Sequence, residues 1–132
     1  MSASWALQKA IRARLTGDAA LMAMIAGVFD HVPQDAAYPY VTIGEDDTRP
    51  FAGKTFAGTR HDLTLRAWSR GQGRREAKAI IERLRVLLDG QGLTLDDHAL
   101  IDLRLTATGT TVERDGLTYL GTARLRAVTQ DV

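Results

Sequence analysis

The sequence predicts an α+β domain with a mainly antiparallel sheet and helices packed on one face of that sheet. Apolar residues recur at helical spacing over residues 77–88, which is typical of a helix that buries one side. Apolar and polar residues alternate over 101–108 and again over 117–127, with Asp115-Gly116 between the two runs. Because Asp-Gly fits a tight hairpin turn, these last two strands are predicted to be antiparallel. The predicted order is ααββ-loop-βαββ, which mixes helices and strands.

Two helices are predicted at the start of the chain. Residues 4–16 carry an apolar stripe, and Gly17 allows the left-handed backbone that ends many helices. Asp18 then begins a second, short helix through Ala26, because aspartate is a favoured N-terminal cap. The apolar residues of the first stripe are Leu7, Ala10, Ile11 and Leu15.

Three extended segments are predicted next. Residues 28–29 form a short strand, and residues 40–43, rich in β-branched and aromatic side chains, form a central strand covered on both sides. Residues 59–68 form a strand in which polar and apolar side chains alternate. Trp68 falls on the polar side of this strand, where a lone large aromatic residue indicates a contact.

Residues 44–58 are the most informative segment for function. They include three glycines, one proline, charges of both signs and two phenylalanines. A connection of about 15 residues is longer than the usual hairpin loop, and a purely solvated loop has little use for two aromatic rings. We interpret the segment as a projecting arm or extended hairpin that lies on another subunit. The candidate contact residues are Arg49, Phe51, Lys54 and Phe56, together with Trp68.

The C-terminal part of the chain is predicted to end in a long hairpin. The helix over 77–88 ends before Gly90, and residues 93–95 are a short extended piece. The hairpin has about 13 residues per arm if pairing runs from 103 to 127, well beyond the usual strand of about 5–6 residues. Its distal half is therefore predicted to project beyond the core.

The composition excludes several classes of function. The chain has 132 residues, a net charge of +1 and no cysteine. A chain of this length is predicted to form one domain, 1–132, without disulfides, a thiol nucleophile or a zinc site with thiolate ligands. The balanced charge gives no general reason to bind nucleic acid or an acidic membrane, and no apolar run is long enough to span a bilayer. We expect no membrane partner.

No arrangement of residues predicts catalysis. The histidines, His31, His61 and His98, show no metal-ligand spacing, and we interpret them as surface-loop or strand-end residues. No nucleophile elbow or Walker loop is present. The sequence therefore predicts no catalytic residue, no metal and no cofactor.

Five arginines form the basic signal of the chain. Arg70, Arg74 and Arg75 precede the third helix, where Arg74 and Arg75 oppose the helix dipole, and Arg124 and Arg126 share one strand face. They predict either contacts with an anionic partner surface or passing DNA, or solvated arginines beside neighbouring carboxylates. The candidate contact residues among them are Arg74, Arg75, Arg124 and Arg126.

Several segments, in order and over nearly the whole chain, resemble a family of small phage and prophage proteins, the tail-completion or tail-terminator-like proteins. Similar copies, rich in alanine and arginine, occur in prophages and gene transfer agents. The segments that carry the resemblance are Ala6-Leu7-Gln8-Lys9-Ala10-Ile11 with Leu15, Val32-Pro33-Gln34, Tyr38-Pro39-Tyr40-Val41-Thr42-Ile43-Gly44, His61-Asp62-Leu63-Thr64-Leu65, Trp68-Ser69, Glu76-Ala77-Lys78-Ala79-Ile80, Asp115-Gly116-Leu117-Thr118 and Arg124-Leu125-Arg126-Ala127.

The resemblance implies a structural protein and not an enzyme. Members are similar to proteins that form a ring, usually a hexamer, at the head-proximal end of the tail tube. The implied ring stops tube polymerisation, joins the head–tail connector or stopper protein, and lets DNA pass through its lumen. The implied partners are further copies of this chain, the tail tube protein and the connector. The implied location is the bacterial host cytoplasm during assembly, then the tail–head junction of the particle. A head-completion or neck connector protein, and a small ligand- or nucleic-acid-binding α+β domain, are the alternatives.

Overall fold

The computed structural model describes all residues, 1–132, as one six-stranded sheet with three helices. The helices are α1 (Ala3–Thr16), α2 (Ala19–Met24) and α3 (Arg75–Leu88). The strands are β1 (Val28–Phe29), β2 (Tyr40–Ala52), β3 (Ala57–Ser69), β4 (Thr94–Leu95), β5 (His98–Val112) and β6 (Tyr119–Asp131). None of the three helices is both long and apolar enough to cross a bilayer.

The sheet is mainly antiparallel, which confirms the predicted α+β fold. Its strand order is β1-β2-β3-β6-β5-β4, and only β1 and β2 run parallel. The two central strands, β3 and β6, pair without interruption from Gly58 and Gln130 to Ser69 and Tyr119. The long strands β2 and β5 flank them, and the two-residue strands β1 and β4 lie outermost.

The helices cover one face of the sheet. Helix α3 contacts β3, β5 and β6, and α1 contacts α3, β1 and β4. The approach of α3 is close at Gly121, where a Cβ atom would lie 2.8 Å from Cγ1 of Ile81. The predicted caps are present, since the side chains of Ser2 and Asp18 accept hydrogen bonds from the backbone amides of Trp5 and Leu21. These helices and the inner face of the sheet enclose one core of 22 buried residues.

The segment 44–58 is part of a long β-hairpin and not an irregular loop. Strand β2 continues to Ala52 and β3 begins at Ala57, so that only residues 53–56 form the turn. The hairpin stays within the sheet, because Gly58 pairs with Gln130 of β6. Every β2 residue from Glu45 onward is exposed, so burial imposes no alternation that the sequence could show. Of the two predicted alternatives, arm or extended hairpin, the extended hairpin is observed.

The C-terminal hairpin is as long as predicted, but its turn is wider. The amide of Glu113 donates to the carbonyl of Thr118, which closes a loop over residues 113–118 in place of a two-residue turn. Gly116 has the predicted positive φ, at 70°. Leu117, the first apolar residue of the run that predicted the last strand, lies in this loop and is 64% exposed. The Asp115 carboxylate holds the loop by accepting hydrogen bonds from the amides of Leu117 and Thr118.

The core fills only part of the sheet. None of its members lies between residues 44 and 62 or between residues 104 and 122. Consequently the distal parts of β2 and β5 are stabilised by strand pairing more than by helix packing. Residues 40–43 were predicted to form a central strand. In the structure β2 has a neighbouring strand on both sides only at Val41 and Thr42, where β1 pairs with it.

Candidate assembly surfaces

The distal end of the β2–β3 hairpin carries four of the five predicted contact residues. Phe51 and Phe56 pack edge to face, with ring centroids 5.9 Å apart, and Phe51 is 48% exposed. The Phe56 ring lies against Gly58, where a Cβ atom would approach the ring within 2.7 Å. Arg49 pairs with Asp47 at 3.0 Å, and Lys54 is exposed in the turn. The hairpin tip thus presents a small aromatic cluster flanked by charges.

Trp68 lies at the opposite end of β3, about 36 Å from the hairpin tip at roughly 3.3 Å per residue. Its ring stacks on Tyr40, with centroids 6.3 Å apart, and its indole Nε1 donates to Oγ1 of Thr42 at 3.0 Å. Tyr38 packs on Tyr40 in turn, and the guanidinium of Arg70 lies 4.3 Å from the Tyr38 ring centroid. Trp68 therefore belongs to an aromatic cluster on the sheet face that the helices leave open.

Sequence reasoning missed the other members of this aromatic cluster. Tyr38 and Tyr40 are adjacent to Pro39 in the sequence, and the peptide bond between Tyr38 and Pro39 is cis. Arg70 also reaches the loop of the C-terminal hairpin, since its Nε donates to Oγ1 of Thr118 at 3.0 Å. The recurrence of tyrosine at positions 38 and 40 was the available signal, but the stacking partner comes from another strand.

The open face of the sheet carries arginines paired with carboxylates. Arg126 lies 3.6 Å from the Asp62 carboxylate, which also pairs with Arg60 at 3.2 Å. Arg124 is exposed beside an open depression of about 350 Å³ that is lined largely by acidic side chains. The acidic residues of this depression are Glu45, Asp46, Asp47 and Asp62.

Arg66 forms the strongest ion pair of the open face. Its guanidinium donates two hydrogen bonds to Glu45, at 2.6 and 2.7 Å, and this lowers the pKa of Glu45 to about 2. Bidentate pairing fixes the guanidinium across the β2–β3 ladder. The positive charge of this face is therefore largely offset within the chain.

The structure does not bring the four predicted arginines together. Arg74 and Arg75 lie at the N-terminus of α3, on the helix side, whereas Arg124 and Arg126 lie on the open face. The Arg74 guanidinium is 5.8 Å from the Tyr119 ring centroid. No carboxylate lies within 4.0 Å of Arg74 or Arg75. The second interpretation, arginines solvated beside carboxylates, fits Arg126 and not this pair.

The three histidines are separate. His61 is 1% exposed in the middle of β3, so the prediction of a surface or strand-end position is wrong for this residue. Its Nε2 is hydrogen-bonded to Thr129 Oγ1 at 2.9 Å, and burial lowers its pKa. His98 contacts Asp131 at 2.8 Å, and His31 is exposed in a loop. No group of three or more histidine, aspartate or glutamate side chains is arranged to hold a metal ion.

These features define a class of protein, a structural subunit that acts through contacts with other chains. Its exposed tip aromatics, its open sheet face and its long unpaired strand edges are surfaces that the fold leaves uncovered. The chain belongs to the tail completion protein gp17 family, whose model matches residues 9–130. This family gives the chain a structural role in a phage-type tail.

Individual relatives agree with the family assignment. The chain is 31% identical over 124 residues to the tail completion protein gp17 of Bacillus phage SPP1, which covers 94% of this chain and 92% of that protein. The solved structure of bacteriophage SPP1 gp17 matches with a TM-score of 0.63 at 29% identity, over 95% of this chain and 89% of the other. A chain from the virion of a native gene transfer agent particle matches with a TM-score of 0.89 at 27% identity, over 98% of both chains.

Proposed function

We propose that this protein is the tail terminator of a phage or gene transfer agent particle. Six copies form a ring on the head-proximal end of the tail tube, stop tube polymerisation and provide the surface that joins the head connector. The observation that carries this proposal is the match over 98% of the chain to a component of a gene transfer agent virion. The family's description as a tail completion protein supports the position at the end of the tail.

The distribution of contact surfaces supports a ring. A closed ring is built from a heterologous interface, in which two different surfaces of the same subunit meet. The hairpin tip with Phe51 and the aromatic cluster with Trp68 lie at opposite ends of β3, so they are available to different neighbours. Aromatic side chains such as the exposed Phe51 and the half-buried Trp68 supply much of the binding energy at interfaces.

The open sheet face suits the lumen of such a ring. Arg124 and Arg126 face it, but the carboxylates of Asp62 and Glu45 offset most of the positive charge beside them. Because tight DNA binding depends on neutralising many phosphates, a face of compensated charge lets DNA slide past. Arg74 and Arg75, on the helix side, are proposed to contact an anionic surface of the tube or connector. Assembly takes place in the host cytoplasm, and the ring then remains at the tail–head junction.

Tail length in a producing strain that lacks this gene tests the proposal. We expect overlong tails and unjoined heads in electron micrographs, and restoration of both features by the wild-type gene supplied in trans. Tails of normal length that fail to join heads would assign the chain instead to a neck or head-completion protein. Tails of normal length joined to heads would contradict both assignments.

A further inference from the structure

Strand β2 has a free edge over most of its length. Beyond Val41 and Thr42, where β1 pairs with it, no strand lies on its outer side. The amide of Gly53 donates to the carbonyl of Phe56 at the hairpin end, and backbone groups point alternately inward and outward along an antiparallel strand. The outward residues are therefore the even-numbered ones, Asp46, Thr48, Pro50 and Ala52. Proline at position 50 agrees with this assignment, because its missing N–H group costs the β2–β3 ladder no hydrogen bond and leaves the outer edge one donor short.

Strand β5 has a matching free edge on the other side of the sheet. Strand β4 pairs with it only at His98 and Ala99, and the end of α3 covers it as far as Leu105. Beyond that point residues 106–112 have no outer neighbour. The hydrogen bond from the Glu113 amide to Thr118 fixes the alternation, so the outward residues are Thr108, Thr110 and Val112.

This β5 edge lacks the features that protect edge strands from pairing. Residues 106–112 include no proline and no charged side chain, and four of the seven are threonine. Monomeric proteins usually block such an edge with lysine, proline or an inward charge. An edge strand that is rich in β-branched residues and lacks such protection is able to pair with a strand of another chain.

The two edges have the directions that pairing between copies needs. Along the order β2-β3-β6-β5 every neighbouring pair is antiparallel, so β2 and β5 of one chain run in opposite directions. When a second copy is placed beside the first in the same orientation, its β2 lies antiparallel to the first copy's β5. The joined sheet is then antiparallel throughout, and the contact is head to tail.

A groove lies beside the β5 edge. It has a volume of about 480 Å³ and lies between α3 and the distal part of β5. Its α3 wall includes Lys78, whose side chain has no carboxylate within 4.0 Å, and Arg85, which pairs with Glu82. The β2 edge carries the acidic run Glu45-Asp46-Asp47. Asp46 pairs opposite buried Leu63, so it lies on the helix side of the sheet, where it accepts a hydrogen bond from the Ser4 hydroxyl at 2.6 Å.

We propose that the free edge of β2 (residues 45–52) pairs antiparallel with the free edge of β5 (residues 106–112) of the next copy, and that its helix-side residues fill the α3–β5 groove. The occupant of the groove is thus a second copy of this chain, whose β2 edge is acidic where the α3 wall of the groove carries the unpaired Lys78. This inference rests on the proposed function for the closure of the copies into a ring. The pairing of the two strand edges does not depend on that closure.

The absence of cysteine makes disulfide mapping a direct test. Double variants would combine Thr48→Cys with Thr108→Cys, Thr110→Cys or Val112→Cys, and would be oxidised after assembly into particles. Within one chain β2 and β5 are separated by β3 and β6, about 14 Å away at roughly 4.8 Å per strand, so no intramolecular disulfide can form. We expect one of the three pairs to give a ladder of covalent oligomers that ends at the ring number. The variant Thr48→Cys with Ala79→Cys, an exposed position on α3, is the matched control and should give no ladder.

The outcomes separate the edge pairing from the ring. If the reduced double variants build normal particles but none of the three pairs crosslinks on oxidation, the edge pairing is overturned and the proposed function stands. Variants that carry only one of these cysteines are a further control. Efficient crosslinking of any such variant with itself would indicate a two-fold contact between copies and would also overturn the pairing. If a double variant impairs assembly before oxidation, mixing the Thr48→Cys chain with each β5 single-cysteine chain in purified form repeats the test. A heterodimer from one mixture supports the pairing, and none from any mixture overturns it.

Discussion

The central strands β3 and β6 and the flanking strands β2 and β5 are of similar length but are stabilised in different ways. Leu63, Leu65 and Ala67 of β3, and their partners on β6, lie beneath the helices and are almost fully buried. The distal parts of β2 and β5 have one strand partner, no residue in the core and a free outer edge. The centre of the sheet therefore holds the fold together, and we propose that its flanks bind other chains.

Truncation of a central side chain is expected to produce the largest loss of stability. Leu65 is fully buried in the core, so Leu65→Ala should lower the free energy of unfolding by about 2–5 kcal/mol, through lost burial and the cavity left behind. Phe51→Ala on the flanking hairpin is the matched control, and it should change the free energy of unfolding by less than about 0.5 kcal/mol. Chemical denaturation of both variants measures the two losses in the free energy of unfolding. Equal losses would contradict the difference between the central and the flanking strands.

The same Phe51→Ala substitution should have its effect on assembly. An exposed aromatic anchor typically contributes about 2 kcal/mol to an interface, which corresponds to roughly a 30-fold weaker contact. We expect fewer completed particles per cell, scored by infectivity or DNA transfer, from a protein that melts normally. The exposed helix residue Val86, changed to alanine, provides a control outside the proposed contacts. Particle yields unchanged by Phe51→Ala would remove this residue from the interface.

The smallest change in stability is expected from the titration of His61, a buried polar residue of the central strand β3. Its pKa is lowered mainly by burial, with Asp46 and Asp62 opposing the shift and His98 adding to it. The unfolded chain therefore takes up a proton more readily than the folded chain. Above pH 6.5, the ordinary histidine pKa, this residue therefore does not reduce the free energy of unfolding. As the pH drops below 6.5, the free energy of unfolding falls by at most about 1.4 kcal/mol per pH unit.

The variant His61→Gln isolates this contribution. Glutamine can keep a hydrogen bond to Thr129 but does not titrate, so the variant should lose part of the pH dependence between pH 7.5 and 5. Urea denaturation at each pH measures the slope. Identical slopes in the variant and the wild type would show that another group causes the acid sensitivity.

How much of the fold the sequence predicts depends on burial. The amphipathic stripe of α3 and the alternation of β5 and β6 are direct consequences of a one-sided core, and both were predicted with bounds close to those observed. The distal part of β2 is exposed, so its side chains follow no pattern, and beyond residue 43 an extended hairpin was only one of two predicted alternatives. Strand pairing, which is a contact distant in sequence, determines its conformation.

The residues of the candidate site also differ in how far the sequence predicts them. The aromatic pair Phe51 and Phe56 could be predicted, because both rings lie in one short polar segment. The stacking of Trp68 on Tyr40 and the burial of His61 could not, because each depends on the registration of two strands. The strand order, which leaves the outer edges of β2 and β5 free, could not be predicted either.

The most direct test of the account is the form of particles built with a chain that lacks residues 49–57. This deletion removes the exposed tip and leaves Gly58, Thr59 and Arg60 to join the paired residues Thr48 and His61, so β3 keeps its pairing with β6 from His61 to Ser69. We predict a folded protein with a near-normal melting temperature and, in electron micrographs, overlong tails that carry no heads. Tails of normal length joined to heads would contradict the claim that the flanking hairpin is an assembly surface.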